Sequence, residues 1–319
     1  MAMRQRFLLS IALVLAGAQA GPAAGATVST QPRAGGTLVE LLFVADPGEM
    51  NNVTLGAAGG TVDVVDLGAV LTPGTGCTAV TPNQVRCTGI DVATITLDNR
   101  DDTFSVTPVG YSAPNGFLLV NGGGGNDVLN GSPSGDALLG ESGNDTLSGG
   151  AGPEHLAGGD GDDRVDGGDG IDTIAFGAAV TMNLALGEAA GEGTDVIAGV
   201  EDVLGSPFAD VIVGNSGRNR LDGKAGGDFI RARGGNDIVL GGEGSDQLYG
   251  ERGADRVNGG PGGDLLNGGR GFDRLRGEAG ADRLFARDRA ADVVNGGPGR
   301  DRARVDRRLD RVRSVAAFF

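Results

Sequence analysis

The chain has 319 residues, with 62 Gly, 11 Phe, 2 Tyr and no Trp; glycine near a fifth, against about 7% in ordinary proteins, excludes a conventional globular core. The formal net charge of -16 repels nucleic acid and anionic membranes and attracts cations, so the partner to look for is a cation.

Taken in chain order, residues 1–26 (MAMRQRFLLSIALVLAGAQAGPAAGA) place Arg4 and Arg6 before an apolar run and then small residues, the pattern of a cleaved export signal. Cleavage is expected after Ala20 or Ala26. An uncleaved anchor would need about 20 apolar residues, longer than the run here. The protein is therefore expected to be secreted, either released or associated with a cell surface, and not inserted in a membrane.

Residues 27–121 read as a β-rich region with candidate strands at 37–44, 61–67, 93–97 and 117–120. Cys77 and Cys87 flank the turn residues Thr81, Pro82, Asn83 and Gln84. An even cysteine count in an exported chain favours a disulfide over two free thiols or a metal pair. The segment 97–104 (LDNRDDTF) resembles a decayed copy of the nine-residue repeat that starts at Gly122, so the repeating architecture is expected to begin here.

From Gly122 the sequence divides every nine residues into six repeats, GGGGNDVLN, GSPSGDALL, GESGNDTLS, GGAGPEHLA, GGDGDDRVD and GGDGIDTIA, spanning 122–175. Residues 176–204 break the period but keep strand-like alternation in Val180, Met182 and Leu184, and again in Val196 and Val200; they are expected to form a longer coil or insertion. A second block over 205–304 begins with nine repeats from Gly205 to Phe285, is irregular over 286–295 and closes on GGPGRDRAR. Residues 305–319 are expected to cap the last coil, with the Arg cluster over 300–313 salt-bridged to the Asp residues among it.

Position six is Asp in thirteen of the fifteen regular repeats, and position eight is always Leu, Ile or Val. Such order excludes a disordered Gly-rich linker and decides the architecture ahead of local propensity. Positions one and four are almost always Gly, as a turn needs where φ is positive or backbone comes close. In the x-U-x triplet next to each Asp, side chains alternate, so U faces inward and its neighbours face water. Two strands and two turns close one coil of 18 residues. Repeat n then stacks on repeat n+2 at about 4.8 Å, and the Asp residues form two columns. Stacked carboxylates repel by roughly 3 to 4 kcal/mol at an effective dielectric of 20. Calcium suits such columns, being a hard cation that takes six to eight oxygens in loose geometry, whereas magnesium wants a strict octahedron and zinc favours His and Cys.

The motif GGxGxDxUx, complete in 122–130 and 241–249, resembles the RTX, or hemolysin-type calcium-binding, nonapeptide. The resemblance implies an all-β, right-handed parallel β-roll, or β-solenoid. It also implies several bound Ca2+ ions held between coils by turn carbonyls and by Asp127, Asp136, Asp145, Glu154, Asp163, Asp172, Asp210, Asn219, Asp228, Asp237, Asp246, Asp255, Asp264, Asp273, Asp282 and Asp301. Glu154 has a longer reach and Asn219 lacks the charge, so sites using them should be weaker. The N-terminal segment with its Cys pair is similar to what precedes such repeats in secreted bacterial proteins. Many members of the family leave through a C-terminal signal, whereas this chain carries an N-terminal one.

No enzyme is expected. The single His, His155, leaves no HExxH helix and no Ser-His-Asp or Cys-His set, and no Gly-x-Ser-x-Gly elbow is present. The reading is a calcium-dependent extracellular structural or adhesive module whose cell-surface or glycan partner is open. The alternative is a carbohydrate-active enzyme or accessory module on a sheet face, for which Phe229, Tyr249 and Phe285 are scattered candidates.

Overall fold

The computed structural model describes residues 26–32, 39–58, 61–106 and 117–318; the export segment expected at 1–26 falls outside them apart from Ala26, as do residues 37 and 38 of the first candidate strand. Every regular element among the described residues is a β-strand. Most strands in the repeats are three residues long, as in Val128–Asn130 and Arg256–Asn258, because one inward apolar residue with two outward neighbours is all that each repeat supplies.

The strands form two long sheets that take alternate repeats. In the first, Ala137–Ser142 pairs in parallel with His155–Asp160, and Ile238–Leu240 with Arg256–Asn258, so that Leu138 lies on Leu156 and Val239 on Val257. In the second, Val128–Asn130 pairs with Thr146–Ala151, stacking Leu129 on Leu147. The 18-residue register is the coil expected from the repeat. Between the sheets the U side chains make one continuous core: Leu129, Leu138, Ile212, Leu221, Ile230 and Leu266 are fully buried. Burying each stabilises by about 1.5 to 3 kcal/mol.

The two sheets continue below the first regular repeat. Val92–Thr96 lies beside Phe117–Gly124, and Thr103–Val106 beside Val128–Asn130, with Phe104 stacked under Leu129. The LDNRDDTF segment therefore does occupy a coil. Beneath it Val39–Val44 and Asn52–Ala58 still pair in parallel with Val92–Thr96 and Thr103–Val106, and antiparallel pairs are added around them. Asn52–Ala58 and Thr61–Asp66 form an antiparallel hairpin, as do Cys77–Thr81 and Gln84–Thr88, the latter closed by a Cys77–Cys87 disulfide around the expected turn. This end holds the largest buried side chains, Phe43 and Phe104, with Leu41, Leu55 and Ile95.

Between the repeat blocks the second sheet gains strands that the first does not. Thr173–Ala175 pairs directly with Asp202–Leu204 in the first sheet. In the second, Thr194–Ala198, Glu188–Ala190 and Thr181–Asn183 are joined in antiparallel pairs before Val211–Val213 resumes the parallel stack. Val180 and Met182 face inward as expected, but Val196 does not: it is 51% exposed and Ile197 fills the core position over Val165. The reason is register. Asp195-Val196-Ile197 is another Asp-x-U triplet, and U is the residue two after Asp. After Phe285 the stack is 19 residues, Leu275 on Val294 and Leu284 on Ala303, so the extra residue of 286–295 is absorbed without loss of register.

Candidate metal centre

Because U points into the core, the Asp two residues earlier turns inward at the coil edge, and the whole set is buried. Asp127, Asp145, Asp163, Asp228, Asp237, Asp246, Asp255, Asp264, Asp273 and Asp282 are at most 3% exposed. Two columns result. One carries Asp127, Asp145 and Asp163, then beyond the inserted strands Asp210, Asp228, Asp246, Asp264, Asp282 and Asp301. The other carries Asp136, Glu154, Asp172, Asn219, Asp237, Asp255 and Asp273.

Within a column most carboxylates are half satisfied. Asp145 Oδ1 accepts the backbone N–H of Asp127 at 2.7 Å, Asp163 Oδ1 that of Asp145 at 2.8 Å, and Asp255 Oδ1 that of Asp237 at 2.8 Å. The other oxygen, Oδ2, has no hydrogen-bond partner on Asp127, Asp145, Asp163, Asp172, Asp228, Asp237, Asp246, Asp255, Asp264, Asp273, Asp282 and Asp301. A buried acceptor left so costs about 1 to 3 kcal/mol, and more when charged.

The first-position glycine explains where that oxygen points. These glycines have no positive φ; the left-handed residues lie at the second and fourth positions, as Gly123 (φ +96°) and Gly125 (φ +130°), and even Glu141 (φ +76°) and Glu251 (φ +72°) adopt it at the second. The first position is glycine for space. A Cβ on Gly140 would collide with Asp145 Oδ2 and with the carbonyl oxygen of Gly158 one coil on; Gly241 meets Asp246 Oδ2 and Gly259 O in the same way, and Gly277 meets Asp282 Oδ2 and Gly296 O. A carboxylate oxygen without a partner and a turn carbonyl thus flank one cradle that only a missing Cβ leaves free.

Burial, relieved in part by the accepted N–H and aggravated by the carboxylates above and below, pushes Asp127, Asp228, Asp237 and Asp264 up to about 7. Asp145 and Asp282 rise to about 6 for the same first cause. Glu154 rises furthest, to about 9, through burial and then the side chain of Asp172, and neither of its oxygens has a partner. The columns are short of positive charge.

A cation that took an Oδ2 and the facing carbonyls would relieve both deficits. Among the described residues no three His, Cys, Asp or Glu side chains converge, so the ion has to complete its shell from backbone oxygen. An all-oxygen donor set with few carboxylates suits a hard, geometrically tolerant cation, which is calcium among the common ions.

Three of the expected positions differ. Asp136 Oδ2 and Oδ1 accept from the N–H and hydroxyl of Ser132, and Asp210 is held identically by Ser206. Both repeats read Gly-Ser-Pro, and both carboxylates are already satisfied. Asn219 is also complete, accepting from Asn215 N–H at 3.0 Å and donating to the carbonyl of Glu201 at 2.9 Å.

Other residues join the columns unannounced by the nine-residue frame. Asp102, Asp195, Asp292 and Asp310 accept the N–H groups of Asn51, Asp163, Asp273 and Asp292, and Glu201 accepts that of Asp172. The signal was the triplet rather than the period: Asp102-Thr103-Phe104, Asp292-Val293-Val294 and Asp310-Arg311-Val312 each place an acid two residues before an apolar one.

Among the described residues no helix is long and apolar enough to cross a membrane. Comparison with curated proteins gives no match. The family profile described as the RTX calcium-binding nonapeptide repeat matches residues 121–153, 139–174, 189–230, 204–239, 222–257, 231–266, 258–288 and 268–303, together more than half of the chain. With the registers and the acid columns, this makes the chain a member of the RTX calcium-binding repeat family, an all-β calcium-binding repeat protein.

Proposed function

We propose that the calcium ions are a condition of folding and that the folded roll serves as an extracellular structural or adhesive module. The observation that carries the reading is the row of buried Oδ2 atoms without partners: a chain that stacks ionised carboxylates at about 4.8 Å intervals gains its missing favourable energy from the ion, so metal-binding free energy serves as folding free energy. The oxygens proposed to face calcium are those of Asp127, Asp145, Glu154, Asp163, Asp172, Asp228, Asp237, Asp246, Asp255, Asp264, Asp273, Asp282 and Asp301, together with turn carbonyls. Asp136, Asp210 and Asn219 help shape the ends and the joint. Export through the N-terminal signal would deliver the chain to calcium of roughly 0.1 to 1 mM, where extracellular modules bind. Circular dichroism across a calcium titration tests the proposal. A cooperative rise of β signal in that range is expected, and a β spectrum unchanged by EGTA would overturn it.

A further inference from the structure

The C-terminal end sorts its charges in a way that salt-bridging within a cap does not explain. Residues 283–313 contain ten Arg and five Asp. All ten arginines, from Arg283 to Arg313, are exposed, and none of the five acids is. The acids are occupied by backbone. Asp292 and Asp301 accept the N–H groups of Asp273 and Asp282 in the columns, at 2.9 and 3.0 Å. Asp288 accepts from Gly271 and Ala290, and Asp310 from Asp292 and Asp306. Asp306 accepts from Arg289 N–H at 2.6 Å and meets the Arg287 guanidinium only at 3.9 Å. The acids of the interleaved sequence therefore direct most of their oxygens to backbone N–H groups, with the Arg287–Asp306 pair beside them. In a chain of net charge -16, this end presents a cationic face.

That face is shaped. A cleft of about 560 Å³ is lined by Phe285, Arg287, Asp288, Arg289, Arg304 and Asp306, with Asn267 at its edge, and both of its carboxylates accept backbone N–H groups. A second, of about 220 Å³, shares Arg287 and Arg304 with it and adds Arg307 and Phe318. Arg307 lies over the Phe318 ring at 4.8 Å and Arg283 over Phe285 at 6.0 Å. On the outer surface of the second sheet, Tyr249, Asn267, Phe285 and Arg304 occupy one row on successive strands, leading into the cleft.

We infer that this cleft is a docking site for a carboxylate-bearing polysaccharide. Guanidinium groups pair bidentately with carboxylates, and an aromatic floor takes the C–H face of a sugar ring. The volume suits a few sugar units. A nucleic acid carries a much denser charge, and the exposed Asp160, Asp162, Asp166 and Asp169 of the first repeat block repel it. The inference goes beyond the calcium reading and rests on it only in that calcium neutralises the inner carboxylates and leaves the arginines to set the local field.

The test is calorimetric titration of the calcium-loaded full chain with an oligouronate of about four sugars, beside a neutral glucan of the same length. Binding to the oligouronate alone, weakened at least about 10-fold in R287A/R304A but unchanged in the charge-matched control R256A/R274A, is expected. Equal binding by R287A/R304A, or equal binding of the glucan, would overturn the site. So would tighter binding of a short DNA duplex, or a self-association in sedimentation that R287A/R304A abolishes. The calcium-induced β transition, recorded for each variant, is expected to be unchanged, which separates a failure of the cleft from a failure of the fold.

Discussion

The antiparallel end, 39–106, and the repeat blocks share the same two sheets but meet the cost of order differently. At the antiparallel end large side chains fill the core, Cys77 and Cys87 close a hairpin, and the charged pair of the outer face is matched: Arg86 donates to both oxygens of Asp63, whose carboxyl is held below its ordinary range chiefly by that hydrogen bond. In the repeats one apolar residue in nine is buried, and beside most of them a carboxylate with an unpartnered oxygen; such oxygens occur also on Glu49, Asp66 and Asp102 of the lower end, where they stand among larger apolar side chains. One chain thus stacks two kinds of interior in continuous sheets, an apolar, disulfide-closed base and a shaft lined by buried carboxylates.

The comparison breaks most sharply if calcium is withdrawn. Chelation is expected to unfold the repeats while the antiparallel end retains its β signal and a native Cys77–Cys87 bond; unfolding of both together would show that the base does not stand alone. Next in size, Leu266→Ala in the calcium-loaded roll removes a fully buried side chain between two neighbours of the stack and is expected to cost about 2 to 5 kcal/mol in denaturant unfolding.

Carboxylates of the two kinds should then separate. Asp246→Asn, at an unpartnered oxygen, is expected to raise the calcium midpoint by about 3- to 10-fold, as removal of ligand charge weakens oxygen sites, whereas Asp210→Asn, at a serine-capped one, is expected to shift it little. Equal shifts would remove the distinction drawn from Ser206. Cys77→Ala with Cys87→Ala is expected to destabilise the antiparallel end by about 3 kcal/mol and to leave the repeat midpoint unchanged.

The smallest effect concerns pH. Without metal, the folded repeats hold protons on Asp127, Asp228, Asp237 and Asp264 up to about 7, while an unfolded Asp releases them near 3.9. Between those values the folded form binds more protons, so the stability of the metal-free roll falls as pH rises through the window and levels off above it. Calcium has to displace those protons. The calcium midpoint is therefore expected to be higher at about pH 5.5 than at about 7.5, read by circular dichroism, and an identical midpoint would count against buried carboxylates as the binding groups.

Much of this was legible in the residues. The nine-residue period sets the 18-residue register, the inward row of U and the two acid columns, because a solenoid's contacts are local copies of one another. What escaped has a common cause: the period counts residues, whereas the fold conserves the Asp-x-U triplet and lets turns vary in length. Asp292 stands one turn residue outside the frame, and Asp102 and Asp195 stand beyond longer connections. Asp136 and Asp210 fit the motif and yet accept from Ser132 and Ser206, a partnership that depends on a hydroxyl at the second position of the repeat. The separation of exposed Arg from buried or half-buried Asp at the C-terminal end was likewise hidden, since it depends on which backbone N–H groups the turns bring to each carboxylate.

The central claim, that calcium at the unpartnered carboxylates holds the repeats folded, is tested most directly by hydrogen exchange resolved along the chain, with calcium and with EGTA. Amides of 122–303 are predicted to be protected only with calcium, and those of 61–106 in both conditions. Equal protection of 122–303 with and without the ion would contradict the account.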